Sequence, residues 1–221
     1  HGIWLSCDNG SYVDGRHCFD NLFIEECRTD GINSQFQPSG CSMLWVTVRD
    51  VTGRGFQMSG SDYYFVSCTV NDSDDSGFYF PVGFSRCVSC ATFRCGNHGF
   101  HIGATGTHMV LDSCDADQSQ HNNFEILGSN TRVVNCVARD PGQATTATYS
   151  HFRIGTGLSG INFLGNHCKA KSLTNTALYL LAIDGALDNS YLGQPTYETN
   201  SANTGTGGGG TLTATVLVRP K

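Results

Sequence analysis

Apolar and polar positions along this chain fall into two recurring columns with nearly the same period. In the first column a small or polar residue precedes phenylalanine, and a polar–apolar alternation follows. It reads GFQMS from Gly55, GFYFP from Gly77, GFHIG from Gly99, NFEIL from Asn123 and HFRIG from His151. Its phenylalanines, Phe56, Phe78, Phe100, Phe124 and Phe152, are separated by 22, 22, 24 and 28 residues. The second column ends on cysteine: VSC at Cys68, VSC at Cys90, DSC at Cys114, VNC at Cys136 and NHC at Cys168, separated by 22, 24, 22 and 32. Alternation with period 2 predicts short strands, and the Gly, Asn, Asp and Ser residues between them predict turns. No helix of useful length is predicted in the first 170 residues. A repeat of about 22 residues built from short strands predicts a parallel β-solenoid, one coil per repeat.

The G-F-x-I/M and V-x-C-x-A/V columns, over about residues 31–170, resemble the right-handed parallel β-helix superfamily of pectate lyases, polygalacturonases and bacteriophage tailspikes. The fold expected is therefore all-β, a right-handed single-stranded parallel β-helix with coils of about 22–24 residues. The first 30 residues, with FIEECRTDG running to Gly31, fit a looser coil, and ALYLL ending at Leu181 supplies one more rung. The expected β-helix domain covers residues 1–198. Residues 199–221 change character: TNSANTGTGGGG reads as a flexible loop, and TLTATVLV alternates like a strand. An open sheet edge needs covering, so that strand is expected to cap the solenoid or to pair with a neighbouring subunit. The resemblance to tailspikes implies the second, in a homotrimer.

Composition narrows the function classes. The chain has 221 residues, 14% of them charged, with a net charge of −6, which gives no reason to expect nucleic acid or an anionic membrane as partner. No apolar run approaches the roughly 20 residues of a membrane span. Eleven cysteines cannot all pair within one chain, and a chain this long does not need a disulfide framework. RCVSCATFRCGNHGFH, from Arg86 to His101, spaces Cys87, Cys90, Cys95, His98 and His101 like ligands of a tetrahedral zinc site. The columns argue against that. Cys87 and Cys90 fall on inward apolar positions, Cys95 on a turn position, and His101 on the outward side of a strand. No metal and no cofactor is expected, and the Asp72, Asp74, Asp75 cluster reads as a solvated turn before it reads as a calcium site.

The residues following the phenylalanine column face outward, one rung apart: Gln57, Tyr79, His101, Glu125 and Arg153, with Tyr179 as an expected sixth. An ordinary solvent face carries more Thr, Ser, Lys and Asn. Here a carboxylate stands between an imidazole and a guanidinium, beside tyrosines whose flat faces suit sugar rings. Glycoside hydrolysis commonly uses two carboxylates. Glu125 is therefore the candidate acid or base, with Asp115 or Asp117 from LDSCDAD as the second carboxylate. The plainer alternative is a cross-strand charge ladder that stabilises the sheet. Lysines are scarce in the repeats, which ranks a lyase below a hydrolase. The resemblance implies a tailspike-like virion protein that binds and hydrolyses a bacterial surface polysaccharide outside the cell. Against it stand a non-catalytic, carbohydrate-binding or structural segment of a virion fibre, and another sugar-acting enzyme such as a lyase, epimerase or fructotransferase.

Overall fold

A computed structural model of the chain describes residues 2–6, 17–35, 40–144, 148–170, 181–184, 190–193, 196–199 and 216–218. The described residues form β-strands and turns, with no helix among them. The strands build three parallel sheets of nine, eight and eight members, and neighbours within a sheet lie three strands apart in the chain. That ordering is a single-stranded parallel β-helix: each coil contributes one strand to each sheet before rising to the next.

The first sheet carries the phenylalanine column. Its strands Phe56–Met58, Phe78–Val82, Phe100–Thr105, Phe124–Ile126 and Phe152–Ile154 pair in register, phenylalanine beside phenylalanine. Leu181–Ile183 adds the next rung, and Val216–Val218 pairs parallel with it as the ninth strand. The terminal segment thus continues the first sheet of its own chain, while residues 200–210 of the Gly-rich loop lie outside the described residues.

The core follows from the alternation. Phe56, Phe78, Phe100, Phe124 and Phe152 are fully buried. Their rings stack with centroids 4.6, 5.0, 5.0 and 4.7 Å apart and planes within 15° of parallel. The strand spacing of roughly 4.8 Å sets that separation, so the backbone ladder and the ring ladder reinforce one another. Phe65 enters from the second sheet edge-on to Phe56 and Phe78. Cys68, Cys90, Cys114, Cys136 and Cys168 form a second buried column, and Cys87 lies in register with Phe65 and Leu111. The ten described cysteines are free thiols. Cys95 is not the turn thiol expected: it ends the strand Ala91–Cys95, beside Ser73, fully buried, and burial pushes its pKa up to about 12.

The corner between the second and third sheets is a single residue in the left-handed region. Ser67, Ser89, Ser113 and Asn135 hold it in successive coils at φ 52–55°, and Gly165 continues the column at 61°. One such residue turns the chain sharply, and short polar side chains tolerate that conformation better than branched ones do. The rung-to-rung hydrogen bonds continue through it, as from Ser89 N–H to the Asp112 carbonyl at 2.9 Å.

Candidate functional site

On the outer side of the first sheet, the register aligns Asn33, Gln57, Tyr79, His101, Glu125, Arg153 and Ala182 in one row. Five of the expected residues are therefore brought together. The sixth place, expected for Tyr179, belongs to Ala182, and Tyr179 lies outside the described residues.

The row is joined by side chains two and three positions before each phenylalanine, at the corner where the third sheet turns into the first. Arg54 donates to Gln57 Oε1, pairs with Asp75 at 2.9 Å, and sets its guanidinium 4.3 Å from the centre of the Tyr79 ring. Tyr79 and His101 lie 4.8 Å apart, centroid to centroid. His98 meets His101 at 5.0 Å and His121 at 5.5 Å, both nearly edge-on. His121 stacks on Tyr149 at 4.3 Å, and its Nδ1 lies 2.6 Å from Asn97 Oδ1. Asn97 Nδ2 in turn donates to Asp75 at 3.2 Å. A continuous sequence of polar and aromatic contacts therefore runs across five coils, from Arg54 to Tyr149.

Electrostatics divide this group in two. Burial, and then the neighbouring imidazoles, hold the His98 pKa down to about 3, and its Nδ1 is buried with no hydrogen-bond partner among the described residues. Burial, then the charge on Arg54, brings His101 to about 4, and burial also lowers His121. These rings are neutral at pH 7. Burial alone would raise Asp75, but Arg54 and hydrogen bonds from Ser76 and Asn97 outweigh it and leave the carboxyl below its ordinary value.

At the other end of the row stands a compact ion cluster. Glu125 is 2% exposed. Its Oε2 accepts a 2.5 Å hydrogen bond from Asn122 Nδ2, and its Oε1 meets Arg153 Nη1 at 2.5 Å. Asn122 Oδ1 is fixed in turn by the Ser150 backbone N–H at 2.7 Å. The same guanidinium holds Asp184 through Nε at 2.7 Å and Nη2 at 2.6 Å. Burial raises the Glu125 pKa, and the pull of Arg153 and Asn122 offsets only part of that rise.

Asp115 and Asp117 do not join Glu125. They lie on either side of buried Ala116 in the strand Asp115–Asp117 of the third sheet, on a different wall of the coil. Asp115 pairs there with Arg139, one rung on, and Asp117 is buried. The carboxylate that does come close to Glu125, through their shared Arg153, is Asp184. Its position is masked in the sequence because a long insertion precedes its rung.

The zinc-like spacing is also resolved by direction. Cys87, Cys90 and Cys95 face the core, whereas His101 sits on the outer row. Among the described residues no group of three or more His, Cys, Asp or Glu side chains is placed to hold a metal ion. In the acidic cluster, Asp72 is bound in bidentate fashion by Arg94 at 2.5 and 2.6 Å, and Asp75 by Arg54. Asp72 and Arg94, with Asp50 and Asp74, border a shallow notch on the third-sheet side of this corner, which Gly96 and Gln120 also line.

The sequence reading missed Arg54, Asp75, Asn97, His98, His121, Asn122 and Tyr149 as members of this face. Their signal was present: they keep fixed offsets of two and three residues before the phenylalanine column.

No family model matches this chain, and no curated protein does. Among solved structures, a trypsin-treated form of QnrB1, a plasmid-mediated fluoroquinolone resistance protein, matches over 90% of this chain and 92% of that one. The identity is 10% and the TM-score 0.21. At that score the likeness carries no functional inference, and the solenoid stands on the strand pairing described above.

Proposed function

We propose that the outer face of the first sheet, with the adjoining corner, binds an extended carbohydrate chain. One observation carries this reading: a half-buried aromatic series, Tyr79, His101, His98, His121 and Tyr149, held by side-chain contacts across successive rungs. Such rings offer flat apolar faces to sugar C–H groups, and the neighbouring amides and carboxylates offer hydrogen bonds to hydroxyls. Fixing the side chains before binding lowers the ordering cost of association. From Arg54 to Asp184 the polar face spans six rungs, about 24 Å at the strand spacing. That length suits an oligosaccharide lying along the solenoid axis better than a single sugar. In this reading the chain is a carbohydrate-binding segment of a trimeric virion fibre. The bacterial surface polysaccharide, the trimer and the virion come from the resemblance to tailspike β-helices.

Hydrolysis is the second reading, favoured by one feature: Glu125 has a raised pKa and Asp184 is a second carboxylate close by. Both Glu125 oxygens are occupied and its side chain is 3% exposed, so cleavage requires Arg153 and Asn122 to release it. Binding without cleavage is the better-supported function.

The test is affinity electrophoresis on a panel of bacterial surface polysaccharides, with reducing-end release measured in parallel. Tyr79→Ala and His101→Ala should each weaken binding by about 5- to 10-fold. Arg132→Ala, on the second sheet, should not. Retention unaffected by both face variants sinks the binding face. Cleavage by the wild type that is lost in Glu125→Gln and kept in Asp115→Asn establishes the hydrolytic reading instead.

A further inference from the structure

We infer that the carbohydrate this face takes is a neutral one, and that chains bearing uronate, sialate or phosphate groups are turned away. The inference rests on the carbohydrate-binding reading and adds the ligand's charge class. Recognition of an acidic sugar needs an uncommitted cation, usually a guanidinium able to grip the anion through two N–H groups. Among the described residues from Arg54 to Asp184 this face carries two guanidiniums, and both are spent. Arg54 is divided between Asp75 and Gln57, with its planar group against Tyr79. Arg153 is held between Glu125 and Asp184, leaving two cations against three carboxylates.

The imidazoles add no positive charge at neutral pH, because burial keeps His98 and His101 unprotonated down to about 3 and 4. The adjoining notch deepens the negative field. Of its carboxylates, Asp72 is bound by Arg94 and Asp50 by Arg49, and Asp74 has no ion pair among the described residues. The whole chain is net −6 as well. An approaching polyanion meets no uncommitted cation among the described residues of the row and a small negative excess at its Asp184 end, and unfavourable charge of this kind is a common means of rejecting a wrong partner. A neutral polymer meets what remains exposed: ring faces, amides and carboxylates that accept from hydroxyls.

Binding of the full chain is measured to immobilised neutral polymers (dextran, mannan, galactan) and acidic ones (polygalacturonate, hyaluronan, polysialate). Low ionic strength is used because it magnifies any electrostatic attraction. At least one neutral polymer should be retained, with half-saturation at a concentration at least about 10-fold below that of any acidic polymer. Asp184→Asn relieves Arg153 of one carboxylate and should raise polygalacturonate binding by about 5-fold. Asp62→Asn, on an exposed turn away from this face, should leave every value as in the wild type. Far-UV circular dichroism confirms that each variant is folded. Acidic polymers bound as tightly as neutral ones overturn this inference and leave the carbohydrate reading standing. An Asp184→Asn protein with unchanged binding to polygalacturonate overturns the role given to the Arg153 clamp. Retention by no polymer overturns both readings.

Discussion

Removing Arg153 should expose the cost of the buried carboxylate beside it, and that cost should depend on pH. Glu125 is almost wholly buried, and Arg153 is its only cationic partner among the described ion pairs. Breaking a fully buried pair by deleting one member typically costs about 3–5 kcal/mol, because the other charge stays behind without compensation. The Arg153 side chain is 41% exposed, so solvent already screens the pair. A loss of about 2–3 kcal/mol at pH 7 is therefore expected for Arg153→Ala. The sign with pH follows from Glu125, whose pKa already lies above its ordinary 4.5 and rises further once the guanidinium is gone. The folded state then holds the proton more tightly than the unfolded chain does, so stability falls as pH rises through that interval and is regained below it. Urea unfolding followed by circular dichroism should give a larger deficit for Arg153→Ala at pH 8 than at pH 5. Adding Glu125→Gln should recover most of it, to within about 1 kcal/mol of wild type, since the buried charge is gone and only the more exposed Asp184 is left without its cation. A deficit equal at the two pH values, or a double variant no more stable than Arg153→Ala, would refute this account.

Two further outcomes test the core. Phe78→Leu and Phe100→Leu remove stacked neighbours, so a double-mutant cycle should show a coupling of about 0.5–1.5 kcal/mol, whereas Phe56→Leu and Phe100→Leu, two rungs apart, should add within about 0.5 kcal/mol. Gly99→Ala should destabilise by at least about 2 kcal/mol in the same urea titration, because a Cβ there would sit 2.6 Å from Thr92 Oγ1, 2.7 Å from the Asn123 carbonyl oxygen and 2.8 Å from the Ala116 Cβ. An unchanged midpoint for Gly99→Ala would show that the corner opens more easily than its packing implies.

The solenoid was legible because burial on one side of each strand forces alternation, and stacking forces that alternation to repeat in phase. Phe56 to Phe152 and Cys68 to Cys168 therefore reported both the fold and the register. Gln57 to Arg153 followed directly as the outward row. Where the period was interrupted, the phase was lost. The insertion before Leu181 moved the expected sixth residue to Tyr179, although Ala182 takes that rung, and it hid Asp184 entirely. Asp115 and Asp117 misled for another reason: ten residues or fewer separate them from Glu125 in sequence, but that interval crosses a corner between two walls. The burial of Glu125 was illegible too. It depends on Asn122 and Ser150, corner residues whose types look like ordinary turn filler until the coils are stacked.

The in-register stacking of equal coils makes the length of the face a countable quantity. Each coil contacts only its neighbours, and each carries one position of every row. Duplicating or deleting one phase-true segment of 22 or 24 residues would lengthen or shorten every row by a single step of roughly 4.8 Å while leaving the remaining coils in register. The protein is in this sense a ruler graduated in strands, on which ligand length and coil number can change together, one unit at a time.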